Sequence, residues 1–414
     1  MPPQTSQLDR LTEGRDALEV RIARTGDELL ACLSRVLEQV PGSEAGPQRL
    51  AGELGVDKVL ASRILKAVRS PDAMSAMHRA PGPEPLRRVL RASAKLGVPA
   101  ADLAAAHAAV DQFEALIRAE FGDRSALEAI LSAWVPEARR EFELRRKQAA
   151  FRAMSQLKGA QAGVFAEAAI FWPSKDTGHI DVVWLKAVVG LRRLRPDAAV
   201  KFTSQRSVET PGARRPLTLS GEPVESVANA VVPEFCTEPT PELRAEIAGE
   251  SIHYVVDGVG LGSAVNLVTC EVNRAELPRY IPTSRGRRAW ASSDVAICSK
   301  RLQLDVLVHH DVFPGEDPDL RVYDTAVLGT ADRNDPARDI DLFDLLETVE
   351  PLGVGLTRFG SSDVPHYRRM LGRICDAMGY DGAHLRGYRV STDYPLYGSQ
   401  YAMSFRTTDP PAAG

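Results

Sequence analysis

The chain has 414 residues, 44% of them hydrophobic and 26% charged, with a formal net charge of −4. That length accommodates two or three domains with sizeable cores, and the balance is that of a globular protein, not of a collagenous or disordered one. No run approaches the roughly 20 apolar residues that span a bilayer, and the opening MPPQTSQLDR lacks the apolar stretch of a signal peptide. The five cysteines (Cys32, Cys236, Cys270, Cys298 and Cys375) include no Cys-x-x-Cys pair, which leaves zinc-ribbon and thioredoxin-like sites without support. The expectation is a cytoplasmic protein with no membrane partner.

The net charge hides an uneven distribution. Residues 1–160 carry 24 lysines and arginines against 21 acids, which leaves 27 against 34 for the remainder. Within 41–95 there are 10 bases and 5 acids. A local basic excess favours a polyanion such as a phosphate backbone, because binding releases its condensed counterions.

Residues 6–40 read as helical. One stripe is Leu8, Leu11, Leu18 and Ile22, another is Leu29, Leu30, Leu33, Val36 and Leu37, and Thr25-Gly26-Asp27 is the expected break between them. Pro41-Gly42-Ser43 ends the segment. The next stretch, PQRLAGELGVDKVLASRILKAVR (47–69), reads as helix, tight turn, helix. Ala51 is small where a second helix crosses, Gly55 accepts a positive φ at no steric cost, and Asp57 is placed to cap the second helix. Ala61, Ile64, Leu65 and Val68 share one face at spacings of three and four. Lys58, Val59, Ser62, Arg63 and Lys66 fall on the other, with Gln48 and Arg69 flanking. That face suits a helix laid in the major groove, where lysine or arginine reaches guanine and serine bonds a phosphate.

The run Ala51, Gly55, Val56, Ala61, Ser62, Arg63, Ile64 resembles the helix-turn-helix of bacterial transcriptional regulators. The resemblance covers about 23 residues of the 414. It implies double-stranded DNA as partner, a homodimer on a palindromic site, and DNA contacts from Gln48, Asp57, Lys58, Val59, Ser62, Arg63, Lys66 and Arg69. Leu60 departs from the pattern by placing a large apolar group beside the reading face, and is expected to pack on a neighbouring helix. The alternative is a helical hairpin whose lysines and arginines merely face water.

After Arg69, SPDAMSAMHRAPGPEP reads as a loop that holds His78 and Arg79, with Arg79 either an exposed charge or a phosphate contact. Residues 86–97 read as a helix with a basic stripe of Arg87, Arg88, Arg91 and Lys95, either tracking a DNA backbone or solvated. Leu54-Gly55-Val56 recurs as Leu96-Gly97-Val98, but the second copy is followed by Asp102, Asp111 and Glu114, which repel phosphate. Residues 99–121 and 124–160 read as long helices, with Pro136 opening a new first turn and EARREFELRRK (137–147) as an exposed, ion-paired surface. The expected domains are a DNA-binding region 1–98, a helical linker or dimerisation region 99–160, and a sensor or partner-binding domain 161–408 that takes a small-molecule or protein effector.

From about residue 163 valine, threonine and aromatics rise. VFAEAAIFW (164–172) reads as a helix tail or a first strand, and 179–185 and 199–208 as strands with a basic cluster of Arg192, Arg193 and Arg195 between them. TPELRAEIAG (240–249) reads as a short helix. Residues 251–258 and 263–273 read as a hairpin around Gly258, Gly260 and Gly262. A strand follows those glycines where a dinucleotide fingerprint needs a helix, so no cofactor is expected. Residues 294–313 supply one or two strands. Their His309-His310-Asp311 is the densest set of metal-capable groups, but neighbours in a strand point to opposite faces, so no metal site is expected. An acidic turn (314–320), a strand (321–330) and an acidic, partly helical stretch (335–350) follow. Ser361-Ser362-Asp363 precedes a helix at 364–379 with a core stripe of Tyr367, Leu371, Ile374 and Met378. Residues 387–395 and 399–406 finish as a hairpin or two paired strands, and 409–414 as a frayed tail. The fold class is α+β, with an all-helical N-terminal half and a mostly antiparallel β-rich C-terminal domain. No nucleophile elbow, zinc pattern or phosphate loop marks an enzyme, although a catalytic site assembled from distant residues of 161–414, or a purely structural multimer, remain alternative readings.

Overall fold

Helical spacing governs the chain as far as Lys158, and alternation takes over from Ala160. The computed structural model describes residues 7–176, 178–206, 215–249 and 251–410 and divides the chain into two compact units, Met1–Glu143 and Leu144–Gly414. The fold is α+β as expected. Among the described residues no helix is long and apolar enough to cross a membrane.

The first unit contains α1 (Gln7–Glu38), α2 (Pro47–Leu54), α3 (Lys58–Val68), α4 (Ala73–Arg79), α5 (Pro83–Lys95), α6 (Ala100–Leu116) with a π-helical turn at Ile117–Phe121, and α7 (Arg124–Trp134); α8 (Pro136–Lys158) begins in it. Leu29, Leu33, Val36 and Leu37 of α1, Leu50 of α2, Ile64 of α3, Leu86 and Leu90 of α5, Val110 and Phe113 of α6, and Leu127 and Leu131 of α7 form one core. Because α6 and α7 share that core, the expected boundary at residue 98 falls inside the unit, and 99–134 is not a free-standing linker. The expected break at Thr25-Gly26-Asp27 is absent, since α1 runs straight through it. Gly26 serves a close approach instead: a Cβ there would lie 2.7 Å from the Ala73 carbonyl oxygen of α4. The expected loop after Arg69 holds α4, capped by the Asp72 carboxylate, which accepts from the Ser75 amide at 2.8 Å. His78, read as part of that loop, is buried on α4.

The echo between the two Leu-Gly-Val runs is structural. Gly55 (φ 60°) and Gly97 (φ 85°) both close a helix in a positive-φ conformation. The next amide returns to the preceding helix in each case, Val56 to the Ala51 carbonyl and Val98 to that of Ser93. Two helix-turn-helix pairs, α2–α3 and α5–α6, therefore share one turn geometry.

The second unit holds twelve described strands and α9 (Tyr367–Met378). The strands are β1 (Ala160–Pro173), β2 (His179–Arg193), β3 (Lys201–Arg206), β4 (Leu243–Ala248), β5 (Ser251–Val256), β6 (Val265–Pro278), β7 (Arg288–Asp294), β8 (Ser299–His309), β9 (Asp319–Asp324), β10 (Glu350–Val354), β11 (Leu385–Asp393) and β12 (Ser399–Arg406). Six form a central sheet in the order β10-β11-β8-β1-β2-β6, antiparallel throughout except for β1 beside β8. Two small sheets, β7-β12-β9 and β3-β5-β4, accompany it. Alternation along β1 serves both faces of the large sheet. Phe165, Ala169 and Phe171 pack with Tyr401, Met403 and Phe405 of β12. Val164, Ala166, Ala168 and Ile170 pack with Tyr367, Met370, Leu371 and Ile374 of α9.

VFAEAAIFW is thus strand, within β1. The expected helix at 240–249 is β4, an edge strand bonded to β5 alone, so backbone pairing overrides its helix-favouring Glu, Leu and Ala. The expected hairpin of 251–258 with 263–273 does not form: β5 joins the β3-β5-β4 sheet and β6 pairs with β2. Residues 387–395 and 399–406 also separate, β11 lying between β10 and β8 and β12 between β7 and β9. Residues 207–208, expected to end a strand, and 411–414 of the tail lie outside the described residues. Asp409 is anchored, its carboxylate accepting from the Thr283 amide and hydroxyl at 2.9 and 2.8 Å. Beneath α9, the buried Asp305 of β8 accepts two bonds from the Arg389 guanidinium (2.8 and 2.7 Å) and one from the Tyr367 hydroxyl (2.6 Å).

Candidate functional site

In the first unit the helix-turn-helix is built as its sequence requires. Gly55 takes the left-handed conformation and the Asp57 carboxylate accepts from the Leu60 amide at 2.8 Å. Ala61, Ile64 and Leu65 are buried, Val68 is half-buried, and Leu60 is buried against its neighbours as expected. Gln48, Asp57, Lys58, Val59, Arg63, Lys66 and Arg69 are exposed and Ser62 is half-buried. Val59 is 70% exposed on a helix whose other large apolar groups point inward.

Several of these groups are already tethered. Lys58 Nζ donates to Gln48 Oε1 at 3.4 Å, which brings the starts of α2 and α3 together. Asp57 pairs with Arg88 at 3.3 Å, so the one acid at the start of α3 is countered. Arg69 donates to the Ser43 carbonyl at 3.3 Å. Arg63 donates to the Ala80 carbonyl at 3.2 Å and leans towards the end of α4. That carbonyl also receives Arg124, which bonds the Met77 and His78 carbonyls as well and so closes the C-terminus of α4. Burial, aided by nearby Arg63, lowers the Arg124 pKa to about 10. The basic stripe on α5 is largely spent within the unit: Arg87 pairs with Asp111 (2.6 Å) and Glu114, and Arg91 with Glu84 (2.7 Å). On α3 itself Lys58, Arg63 and Lys66 stay exposed, each without a carboxylate partner among the described residues.

The second unit contains a cavity of about 490 Å³, lined by Phe165, Trp184, Lys186, Phe202, Glu271 and Asp294 among others. Register creates it. Glu167 of β1 lies opposite Lys186 of β2, and Lys186 opposite Thr269 of β6, with Trp184 opposite Glu271. Alternation then puts Glu167, Lys186 and Glu271 on one face, and Asp294, the last residue of β7, adds a third carboxylate at the rim. Lys186 Nζ lies 2.8 Å from Glu167 Oε1. Glu167 is 5% exposed, and its buried Oε2 has no hydrogen-bond partner among the described residues. Burial opposes the Lys186 charge, but Glu167, Glu271 and Asp294 hold its pKa above the ordinary value. Burial raises the Glu271 carboxyl against the pull of Lys186. Burial and the neighbouring Glu167 raise Asp294, although Thr330 donates to it at 3.0 Å. Three carboxylates thus surround one ammonium in a partly aromatic hollow.

A stability signature follows from the sign of these shifts. A carboxyl whose folded pKa is raised binds its proton more tightly in the native state. Its contribution is full below its unfolded value and is lost as pH rises through the folded value. Glu271→Gln is therefore expected to raise the urea midpoint in neutral buffer more than in acidic buffer; an equal change in both would remove Glu271 from this account.

At one end of β8 and β11 three imidazoles meet. The expectation that His309 and His310 diverge fails because β8 ends at His309 and the chain turns there. The rings of His309 and His310 stack at 4.2 Å, and His384 stands 5.6 and 4.8 Å from them. Burial, with neighbouring His310 adding to it, lowers the His309 pKa to about 4, so its imidazole is neutral. The five cysteines are free thiols, and burial raises those of Cys236, Cys270, Cys298 and Cys375. Comparison with family models, curated proteins and solved structures yields no match for this chain.

Proposed function

We propose that the protein is a sequence-specific DNA-binding transcriptional regulator that lays α3 in the major groove. The observation that supports this most is the outward face of α3. A capped helix behind a left-handed glycine turn presents Lys58, Val59, Arg63 and Lys66 to solvent, with Ser62 half-buried beside them. The chemistry matches a base-edge surface: cations for phosphates and guanine, an exposed isopropyl group for a thymine methyl, a hydroxyl for either. Gln48 and Arg69 flank the same helix. Arg63 must exchange one bond, to the Ala80 carbonyl, to reach a base. One such helix covers few base pairs, so a homodimer on a palindromic site completes the reading. Selection of bound duplexes from a random pool, repeated with Ser62→Ala and Val59→Thr, tests it. A shared palindromic consensus in the parent, altered in the variants, is the expected result. Identical enrichment in all three would reassign α2–α3 to a structural hairpin.

The charged cavity favours a companion reading for the second unit, that of a sensor for a small organic cation. Glu167, Glu271 and Asp294 outnumber Lys186, and the Glu167 Oε2 acceptor has no partner among the described residues. An ammonium would supply the missing donors, while Trp184, Phe165 and Phe202 would pack on its carbon frame. Thermal denaturation with putrescine and with butane-1,4-diol separates charge from shape. The diamine should raise the midpoint, the diol should not, and Glu271→Gln should reduce the diamine's effect. Equal shifts from amine and diol would dismiss the cation.

A further inference from the structure

We propose that His309, His310 and His384, together with Asp311, form a binding site for a divalent transition-metal ion of the zinc, cobalt and nickel class. One ligand-capable nitrogen from each histidine lies within 4.8 Å of the others. Bonds of about 2.1 Å in a tetrahedral site place neighbouring ligand atoms roughly 3.4 Å apart, so small side-chain rotations close the set. Asp311 borders the three and would turn in as a fourth donor. Its Oδ2 stands 3.8 Å from His309 Nδ1 and its Oδ1 stands 3.1 Å from His310 Nε2. Three imidazoles and one carboxylate suit this class of ion, whereas calcium and magnesium prefer all-oxygen shells.

The frame around the cluster is fixed. His309 ends β8 opposite Leu385 of β11, and the His310 amide donates to the His384 carbonyl at 3.0 Å. His309 Nδ1 accepts from the Asp311 amide at 3.2 Å, a bond that an ion taking the same lone pair would displace. Arg279 donates to the Asp311 carbonyl at 3.3 Å and pins the turn. The Trp172 ring meets the His309 ring at 4.4 Å and stacks on Tyr380 at 4.3 Å, which walls the buried side of the site. His310 and His384 are about half exposed, so an ion enters from solvent without opening the core.

The test uses the untagged full-length protein and a cobalt(II) titration, read by visible absorption and by tryptophan emission. Binding of one equivalent with the intense ligand-field bands of a low-symmetry nitrogen site is expected, and zinc(II) should displace it. Emission should fall with the same stoichiometry, and Trp172→Phe should remove the quenched component. His310→Ala and His384→Ala, both at exposed positions, should each weaken cobalt binding at least about tenfold, while His179→Ala should leave it unchanged. Absence of stoichiometric binding by the parent, or equal affinity in the parent and the His310→Ala/His384→Ala double variant, would overturn the site. Neither outcome depends on DNA binding or on the charged cavity.

Discussion

Arg389→Met is expected to lower the stability of the protein by about 3–5 kcal/mol, the cost of leaving a buried charge without its partner. Asp305 is fully buried beneath α9, and the guanidinium satisfies both of its oxygens. Without Arg389 the carboxylate keeps only the Tyr367 hydroxyl and a long contact from Gln303 Nε2 at 3.3 Å. Burial already pushes the Asp305 carboxyl up, and Arg389 is the charge that opposes it. The variant should therefore take up a proton at Asp305, and its loss should be larger in neutral than in acidic buffer, since a raised folded pKa forfeits stability as pH climbs. The double variant Arg389→Met/Asp305→Leu removes both charges and should recover much of the loss. Urea denaturation of the three proteins decides the matter. A loss below about 1 kcal/mol for the single variant would rank this pair with exposed ones.

The largest effect on binding is expected from α3. Lys58→Ala and Lys66→Ala should each weaken DNA binding across all sequences and reduce the salt slope by about one counterion. Ser62→Ala should instead relax specificity at one base position, at about 1–3 kcal/mol. Combined, the three should lower affinity for the selected site by two orders of magnitude or more, on the order of 3–6 kcal/mol if the contacts are independent. Arg87→Ala is the control within the same unit. It removes a cation already held by Asp111 and Glu114, and should leave the salt slope unchanged if the unit stays folded. Fluorescence anisotropy over a salt series measures all of these. An unaltered slope in the Lys58→Ala/Lys66→Ala protein would leave the helical-hairpin reading standing.

What was legible in the sequence was local. Gly55, Asp57 and the three-four spacing of Ala61, Ile64 and Leu65 specify a turn, a cap and a face within one short stretch, and each occupies its expected place. The C-terminal glycine of α9 and its stripe of Tyr367, Leu371 and Ile374 were legible for the same reason. Partnership between strands was not. Chain neighbours such as β5 and β6 look like a hairpin because both alternate, but nothing local says that they enter different sheets. The charged cavity had a faint signal, a lone Glu167 inside VFAEAAIFW and a lone Lys186 inside VVWLKAVV. Single charges within apolar strands imply a buried partner, and register makes them partners of each other. Arg63 and the basic stripe of α5 misled in the opposite direction. Spacing assigns a side chain to a face, but the acids of α6 and the end of α4 decide where its charge is used. Alternation does not bring the three histidines together, because β8 ends at His309 and His310 already lies in the turn.

The parallel pairing of β1 with β8 sets an order of events during synthesis. Ala162 lies opposite Ser299, so the central ladder of the sheet cannot close until the ribosome has released most of the second unit. The helical unit, whose core is drawn from Ile22 to Leu131, is free to assemble long before. A nascent chain arrested midway would carry a finished α2–α3 pair beside an unclosed β1 edge, and that edge, with its apolar faces, is where a chaperone would be needed.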